Sequence, residues 1–303
     1  MEEAATMDVS ASAPAGCASR RIAVGDGLFL EAHDYAPEPP ETGLPVICLH
    51  GLTRNARDFE IVAPRIAALG RRVVALSMRG RGGSDRDSDP ARYAPPIYVQ
   101  DVIKALDALE IERAVFIGTS MGGIITMALA AVAGGRVGAA ALNDIGPVIE
   151  AAGLARIGTY VGRGEPVSDW AEAANAVKAV NGAAFPREAD NAEFWLRFAK
   201  RTYRAGADGR PAPDCDPAIA QGFGQTQSGP PADLTPLFQA LAQRPVLIVR
   251  GALSDILSAD GLARMRALKP DLVSMEVPDI GHAPTLEEPE AWDALLDFLA
   301  RTP

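Results

Sequence analysis

Ser120 stands in Gly118-Thr119-Ser120-Met121-Gly122, directly after the apolar run 114–117 (AVFI) and directly before a long apolar segment at 121–133. The first run reads as a buried strand and the second as a buried helix, which places the serine on a strand-to-helix turn. Glycines two residues to either side permit a very tight turn that lifts the hydroxyl above the sheet edge. The helix N-terminus then sets main-chain N–H groups and the positive end of the helix dipole beside it. Those surroundings suit attack on a carbonyl carbon and capture of the oxyanion that results. The plainer reading, a serine that only caps a helix in a glycine-rich loop, is disfavoured by the strand and helix that flank it.

A serine nucleophile needs a base at neutral pH, and histidine is the usual one. The chain has three histidines. His33 lies in an alternating N-terminal segment and His50 ends an early strand before Gly51; both read as structural. His282, in the stretch PDIGHAP at 278–284, follows the last expected strand and precedes a final helix near 287–300. That puts it on the side of the strand C-termini, where parallel sheets bind ligands. A carboxylate should fix the imidazole tautomer. Asp255 follows the strand 245–249 and gives the chain order Ser, Asp, His, so it is the expected third member. Asp144 is its rival, because it ends the run 137–142, but a capping or turn role is preferred for it. The N–H groups of Met121 and of Leu52, after His50-Gly51, are the expected oxyanion donors.

These residues require a sheet to hold them. Short apolar runs at 44–49, 72–76, 114–117, 137–142, 245–249 and 272–277 show little alternation, as expected of strands buried on both faces of a parallel sheet. Amphipathic patterns between them, such as 98–109, read as covering helices. Residues 21–35 alternate and read as an opening antiparallel hairpin. From about 148 to 228 the text changes, with helical segments at 168–180 and 192–203 and Gly/Pro-rich joints at 206–217 and 228–231. The expected architecture is therefore α/β, a mostly parallel central sheet flanked by helices with an inserted helical cap. Its parts are a disordered tail at 1–20, a core at 21–147 and 229–303, and the cap at 148–228.

Composition narrows the function classes. The 303 residues carry a formal net charge of −10 and no compact Lys/Arg cluster, which argues against nucleic-acid binding. Cys17, Cys48 and Cys215 are odd in number and far apart, the pattern of neither a disulfide framework nor a zinc site, and Cys48 reads as a core residue. No apolar run is long enough for a membrane span, and residues 1–20 lack the pattern of a secretory signal. A cytoplasmic setting is expected, and a homo-oligomer is allowed.

Over residues 21–300 the chain resembles the α/β-hydrolase fold family, on HG at 50–51, RGRGGSD at 79–85, GTSMGG at 118–123, GALSD at 251–255 and GH at 281–282. Relatives often carry Asp two residues before the Arg-Gly pair, where this chain has Ser77. Serine at 120 speaks against dehalogenase and epoxide hydrolase chemistry, which resembling enzymes run through a carboxylate nucleophile. The expectation is hydrolysis of a small-molecule carboxylic ester or lactone through an acyl-enzyme. No metal or organic cofactor is implied. Thioester or carbon–carbon bond hydrolysis on the same residues is the alternative, and from another class, a small-molecule receptor without turnover. The cap aromatics Tyr160, Phe194, Trp195 and Phe198 are candidate pocket walls, though at helical spacing they fit a cap core as well. Arg54 is a candidate partner for a substrate carboxylate, against the plainer reading of a solvated surface arginine.

Overall fold

In a computed structural model, the structure describes residues 6–8, 16–226 and 233–303. Nine strands form one sheet in the order β1-β2-β3-β5-β4-β6-β7-β10-β11. The strands are β1 (Thr6–Asp8), β2 (Ala18–Ala23), β3 (Phe29–Tyr35), β4 (Val46–Leu49), β5 (Val73–Leu76), β6 (Ala114–Thr119), β7 (Val137–Asn143), β10 (Val246–Gly251) and β11 (Val273–Val277). Pairing is antiparallel from β1 to β5 and parallel from β5 to β11. Part of the expected tail is thus ordered. Thr6, Met7 and Asp8 pair with Ile22, Arg21 and Arg20, because β2 offers a free edge on the side away from β3. Residues 1–5 and 9–15 lie outside the described residues.

Helices α1 (Val62–Ala67), α2 (Pro95–Ala108), α3 (Met121–Ala133), α9 (Ala259–Leu268) and α10 (Pro289–Ala300) join or follow the parallel strands. Each central strand sends alternate side chains to opposite faces, as a pleated strand must. In β4, Ile47 and Leu49 enter one core with α2, α3 and α9, while Val46 and Cys48 enter the other with α1 and α10. Because both faces are apolar, the run shows no hydrophobic alternation. The last strand departs from that pattern: β11 lies at the sheet edge, and Val273 is exposed.

Between β7 and β10 the chain leaves the sheet. It forms α4 (Ala151–Tyr160), α5 (Trp170–Asn181), α6 (Ala192–Thr202), a hairpin of β8 (Tyr203–Ala205) and β9 (Pro211–Pro213), α7 (Ile219–Thr226) and α8 (Thr235–Gln239). The stretch read as a plain joint at 206–217 therefore includes one arm of a small hairpin, paired Tyr203 to Pro213; the joint at 228–231 lies outside the described residues.

Ser77 is accommodated by a carboxylate from elsewhere. Its hydroxyl donates to Glu31 Oε2 at 3.0 Å, and the same oxygen accepts from the Gly83 N–H at 2.9 Å. Burial disfavours this carboxylate, yet hydrogen bonds from His33, Gly83 and Ser77 outweigh it and hold Glu31 down to about 2. Arg79, buried, forks onto Asp101 at 2.6 and 2.8 Å and also meets Asp87, so the turn after β5 is held by charge.

Candidate active site

Strand β4 lies between β5 and β6, and the chain leaves β4 in one direction and β6 in the other. A crevice opens at the C-terminal ends of strands where the order reverses in this way. The loop Gly51–Arg54 follows β4 and Ser120 follows β6, so both border that crevice.

Ser120 has φ +52° and ψ −112°, a left-handed conformation that a non-glycine residue adopts only under constraint. The constraint is close packing of α3 on the sheet: a Cβ at Gly122 would stand 2.0 Å from the Leu49 carbonyl oxygen. The main chain at Ser120 is tied sideways as well, its N–H donating to Asn143 O at 2.9 Å. Met121 is the first residue of α3 and has no intrahelical acceptor for its N–H. Neither Met121 nor Leu52 donates a main-chain hydrogen bond among the described residues, and both line a cavity together with Ser120.

The Ser120 hydroxyl lies 2.9 Å from His282 Nε2, and His282 Nδ1 lies 2.7 Å from Asp144 Oδ2. The Nδ1–H donates to the carboxylate, which leaves Nε2 to accept the serine proton. Asp144, fully buried, also accepts from the Gly251 N–H at 2.8 Å and the Ser254 hydroxyl at 2.6 Å. Asp255, the expected partner of the histidine, is elsewhere. Its carboxylate is gripped by Arg156 from α4 at 2.5 and 2.7 Å, and that hydrogen-bonded pair holds it below the usual carboxylate range. The reason lies in strand register. Asn143 pairs with Thr119 on one side and Val249 on the other, so Asp144 emerges level with Ser120 in the middle of the sheet. Asp255 stands further out, where an inserted helix supplies a counter-ion. The available signal was that Asp144 directly abuts its strand, whereas Asp255 follows its own at a distance.

Three further residues shape the site. Asn143 donates to Pro284 O at 2.8 Å, tying the end of β7 to the loop that carries His282. His50 is fully buried; its Nε2 accepts the Met78 N–H at 2.9 Å and its Nδ1 donates to Gly51 O at 2.6 Å. Burial, with the nearby positive charge of Arg81, lowers His50 to about 3, so the ring stays neutral. Arg81, fully buried, donates from Nε to Leu52 O at 2.9 Å and from Nη1 to Arg79 O and the Tyr98 hydroxyl, both at 2.8 Å. Its Nη2 reaches Met121 Sδ at 3.8 Å, and no carboxylate among the described residues pairs with it. Arg81 therefore contacts both residues expected to hold the oxyanion. Nothing in its spacing marks it apart from the neighbouring Arg79.

Two cavities meet at Ser120. The larger, about 470 Å³, is lined by apolar side chains including Met121, Ile124, Ile145, Ile149, Leu154 and Ile157. The smaller, about 180 Å³, is lined by His282, Arg54, Asp58, Tyr160, Arg163 and Phe198 among others. Arg54 and Tyr160 are thus at the site. Arg54 is no solvated surface arginine: it is bidentate on Asp58 and lies 3.9 Å over the Phe198 ring. Trp195, expected as a pocket wall, is corrected. It is buried against Phe185, Phe194 and Phe198 with its indole N–H on Glu188 O, because the apolar stripe of α6 seals the insert. Among the described residues no cluster of three His, Cys, Asp or Glu side chains is gathered for a metal ion. No described helix is long and apolar enough to cross a membrane.

Comparison with known proteins bears on the family and the fold. The α/β hydrolase fold family model matches residues 45–289. A 3-hydroxybutyrate-oligomer hydrolase of Cupriavidus necator is 35% identical over 249 residues, 80% of this chain and 84% of that protein. A 2-(acetamidomethylene)succinate hydrolase of Mesorhizobium japonicum is 28% identical over 272 residues, 90% of this chain and 91% of that protein. The crystal structure of an α/β hydrolase from Novosphingobium aromaticivorans superposes with a TM-score of 0.84 at 44% identity, covering 99% of each chain. With the family model matching residues 45–289, most of the sequence, and a relative 35% identical over 80% of it, the chain belongs to the α/β-hydrolase fold family.

Proposed function

We propose that this enzyme is a serine hydrolase that cleaves a carboxylic ester of a small molecule through an acyl-enzyme. The carrying observation is the unbroken hydrogen-bonded line from Ser120 through His282 to Asp144, ending where two cavities meet. As the Ser120 oxygen attacks the ester carbonyl, His282 Nε2 takes its proton, and Asp144 stabilises the imidazolium through Nδ1–H. The carbonyl oxygen, now negative, lies against the N–H groups of Met121 and Leu52. Collapse expels the alcohol, protonated by His282. Water then repeats the sequence on the acyl-enzyme and frees the acid. The wide apolar cavity suits the acyl chain, and the narrower polar cleft suits the alcohol side.

The relative from Cupriavidus necator acts on 3-hydroxybutyrate oligomers, and a further relative, esterase YbfF of Escherichia coli, is 36% identical over 104 residues. These favour an oxygen ester, with oligoesters of a short 3-hydroxyacid as the first natural substrate class. The test is turnover of p-nitrophenyl butyrate by the wild type and by Ser120→Ala, beside a thioester, a lactone and a β-diketone. Loss of ester turnover by about 10⁶ in the variant is expected, the scale of removing a serine nucleophile. Undiminished ester turnover by Ser120→Ala would overturn the reading; so would a wild type active on the β-diketone alone.

A further inference from the structure

The smaller cleft is arginine-rich in a protein whose net charge is −10. Arg54, Arg163 and Arg201 line it against one carboxylate, Asp58. Their charges are not equally spent. Arg201 is buried and meets Glu60 at 3.0 Å and Glu287 at 2.6 Å. Arg54 is committed through Nε and Nη2 to Asp58, which, with Phe198 beneath, holds its planar fork still while leaving Nη1 without an acceptor among the described residues. Arg163 is exposed, and its guanidinium makes no hydrogen bond or ion pair with any described residue. The chain presents it on a turn after α4, where the Arg163 N–H closes on Tyr160 O at 3.0 Å. Gly162 there has φ +67°, and a Cβ on it would stand 2.5 Å from Pro217 O, so the turn is packed down on its neighbour and holds Arg163 at the cleft.

We propose that this cleft is a carboxylate subsite for the leaving group, with Arg163 as the free cation and the held fork of Arg54 as the second donor. The proposal rests on the ester-hydrolase reading above and deepens it: the substrate is an ester whose alcohol half ends in a free carboxylate, as the carboxyl terminus of a 3-hydroxyacid oligoester does. The geometry divides such a molecule at Ser120. The acyl unit, whose surface is mainly hydrocarbon, occupies the 470 Å³ apolar cavity; the hydroxyacid leaving group enters the arginine cleft. Hydrolysis then breaks the acyl C–O bond, moves one proton from Ser120 through His282 to the departing alkoxide, and consumes one water in the second half. A dimer gives two hydroxyacid molecules.

The experiment compares the 3-hydroxybutyrate dimer with its primary amide, which keeps the same ester bond and shape but carries no charge. Wild type is expected to prefer the free acid in kcat/KM by roughly ten-fold or more, the size of one charge-assisted hydrogen bond. The preference should shrink as salt is raised, since the cation is exposed. Charge reversal, Arg163→Glu, should bring the ratio to one or below, and Arg163→Lys should retain part of it. Equal kcat/KM for acid and amide in the wild type overturns the subsite, as does a ratio unmoved by Arg163→Glu. p-Nitrophenyl butyrate, followed with wild type and Ser120→Ala, separates the two levels. If the wild type turns it over, the variant does not, and the dimer shows no charge preference, then the ester hydrolase stands and only the subsite falls.

Discussion

At the scale of residues, the choice between two aspartates decides the chemistry. Asp144 and Asp255 both follow sheet strands, but only Asp144 touches His282, and Asp255 is bound to Arg156. Replacing the orienting carboxylate of a triad by its amide leaves geometry intact while favouring the wrong imidazole tautomer, at a cost of about 10⁴ in kcat. Asp144→Asn is therefore expected to lose about three to four decades of kcat on p-nitrophenyl butyrate. Asp255→Asn breaks a one-third-exposed ion pair, and its kcat should stay within about ten-fold of wild type, since pairs of that exposure contribute little. Steady-state kinetics of the two variants side by side checks both; a larger loss in Asp255→Asn reverses the assignment.

At the scale of elements, the loop after β5 braces the loop after β4. Arg81 carries that brace, joining Leu52 O to the start of α3 through Met121. A buried cation with no carboxylate partner among the described residues is costly to place, and its position behind both proposed oxyanion donors gives a reason for keeping it. Its contact is with Leu52 O, so the role it is expected to have is positioning. Arg81→Met keeps the bulk and removes the donors; kcat is expected to fall by about 10–100-fold, short of losing an oxyanion donor outright, with KM little changed. Arg81→Lys should recover part of the loss. Thermal unfolding of each variant separates this from a folding defect: a kcat at the wild-type level in a folded Arg81→Met protein removes the positioning role.

At the scale of the whole molecule, a buried histidine and a partly buried glutamate make stability depend on pH in the same direction. His50 is held neutral at about 3, against 6.5 for a free histidine. Between those values the unfolded chain takes up a proton that the folded chain refuses, so stability declines as pH falls from about 6.5 towards 3. Glu31, held at about 2, contributes stability that is complete above 4.5 and lost as pH falls towards 2. Urea unfolding followed from pH 7 to pH 4 should show a steady loss, and His50→Gln should flatten it in the upper part of that range. A wild-type midpoint independent of pH across the window is the contrary result.

The sequence by itself determined the α/β architecture, because strands buried on both faces and helices with one apolar stripe leave periodicities that survive in one dimension. It also singled out Ser120 and His282, since a nucleophile on a glycine-flanked turn and a histidine after the last strand are local arrangements. Tertiary structure decided the rest. Asp144 rather than Asp255 meets the histidine because strand register, a relation between distant segments, sets which carboxylate is level with Ser120. Trp195 faces inward and Arg54 faces the cleft because packing partners on other elements, Phe185 and Asp58, fix their direction. Residue type states what a side chain is able to do; the neighbours that folding brings to it decide whether it does so.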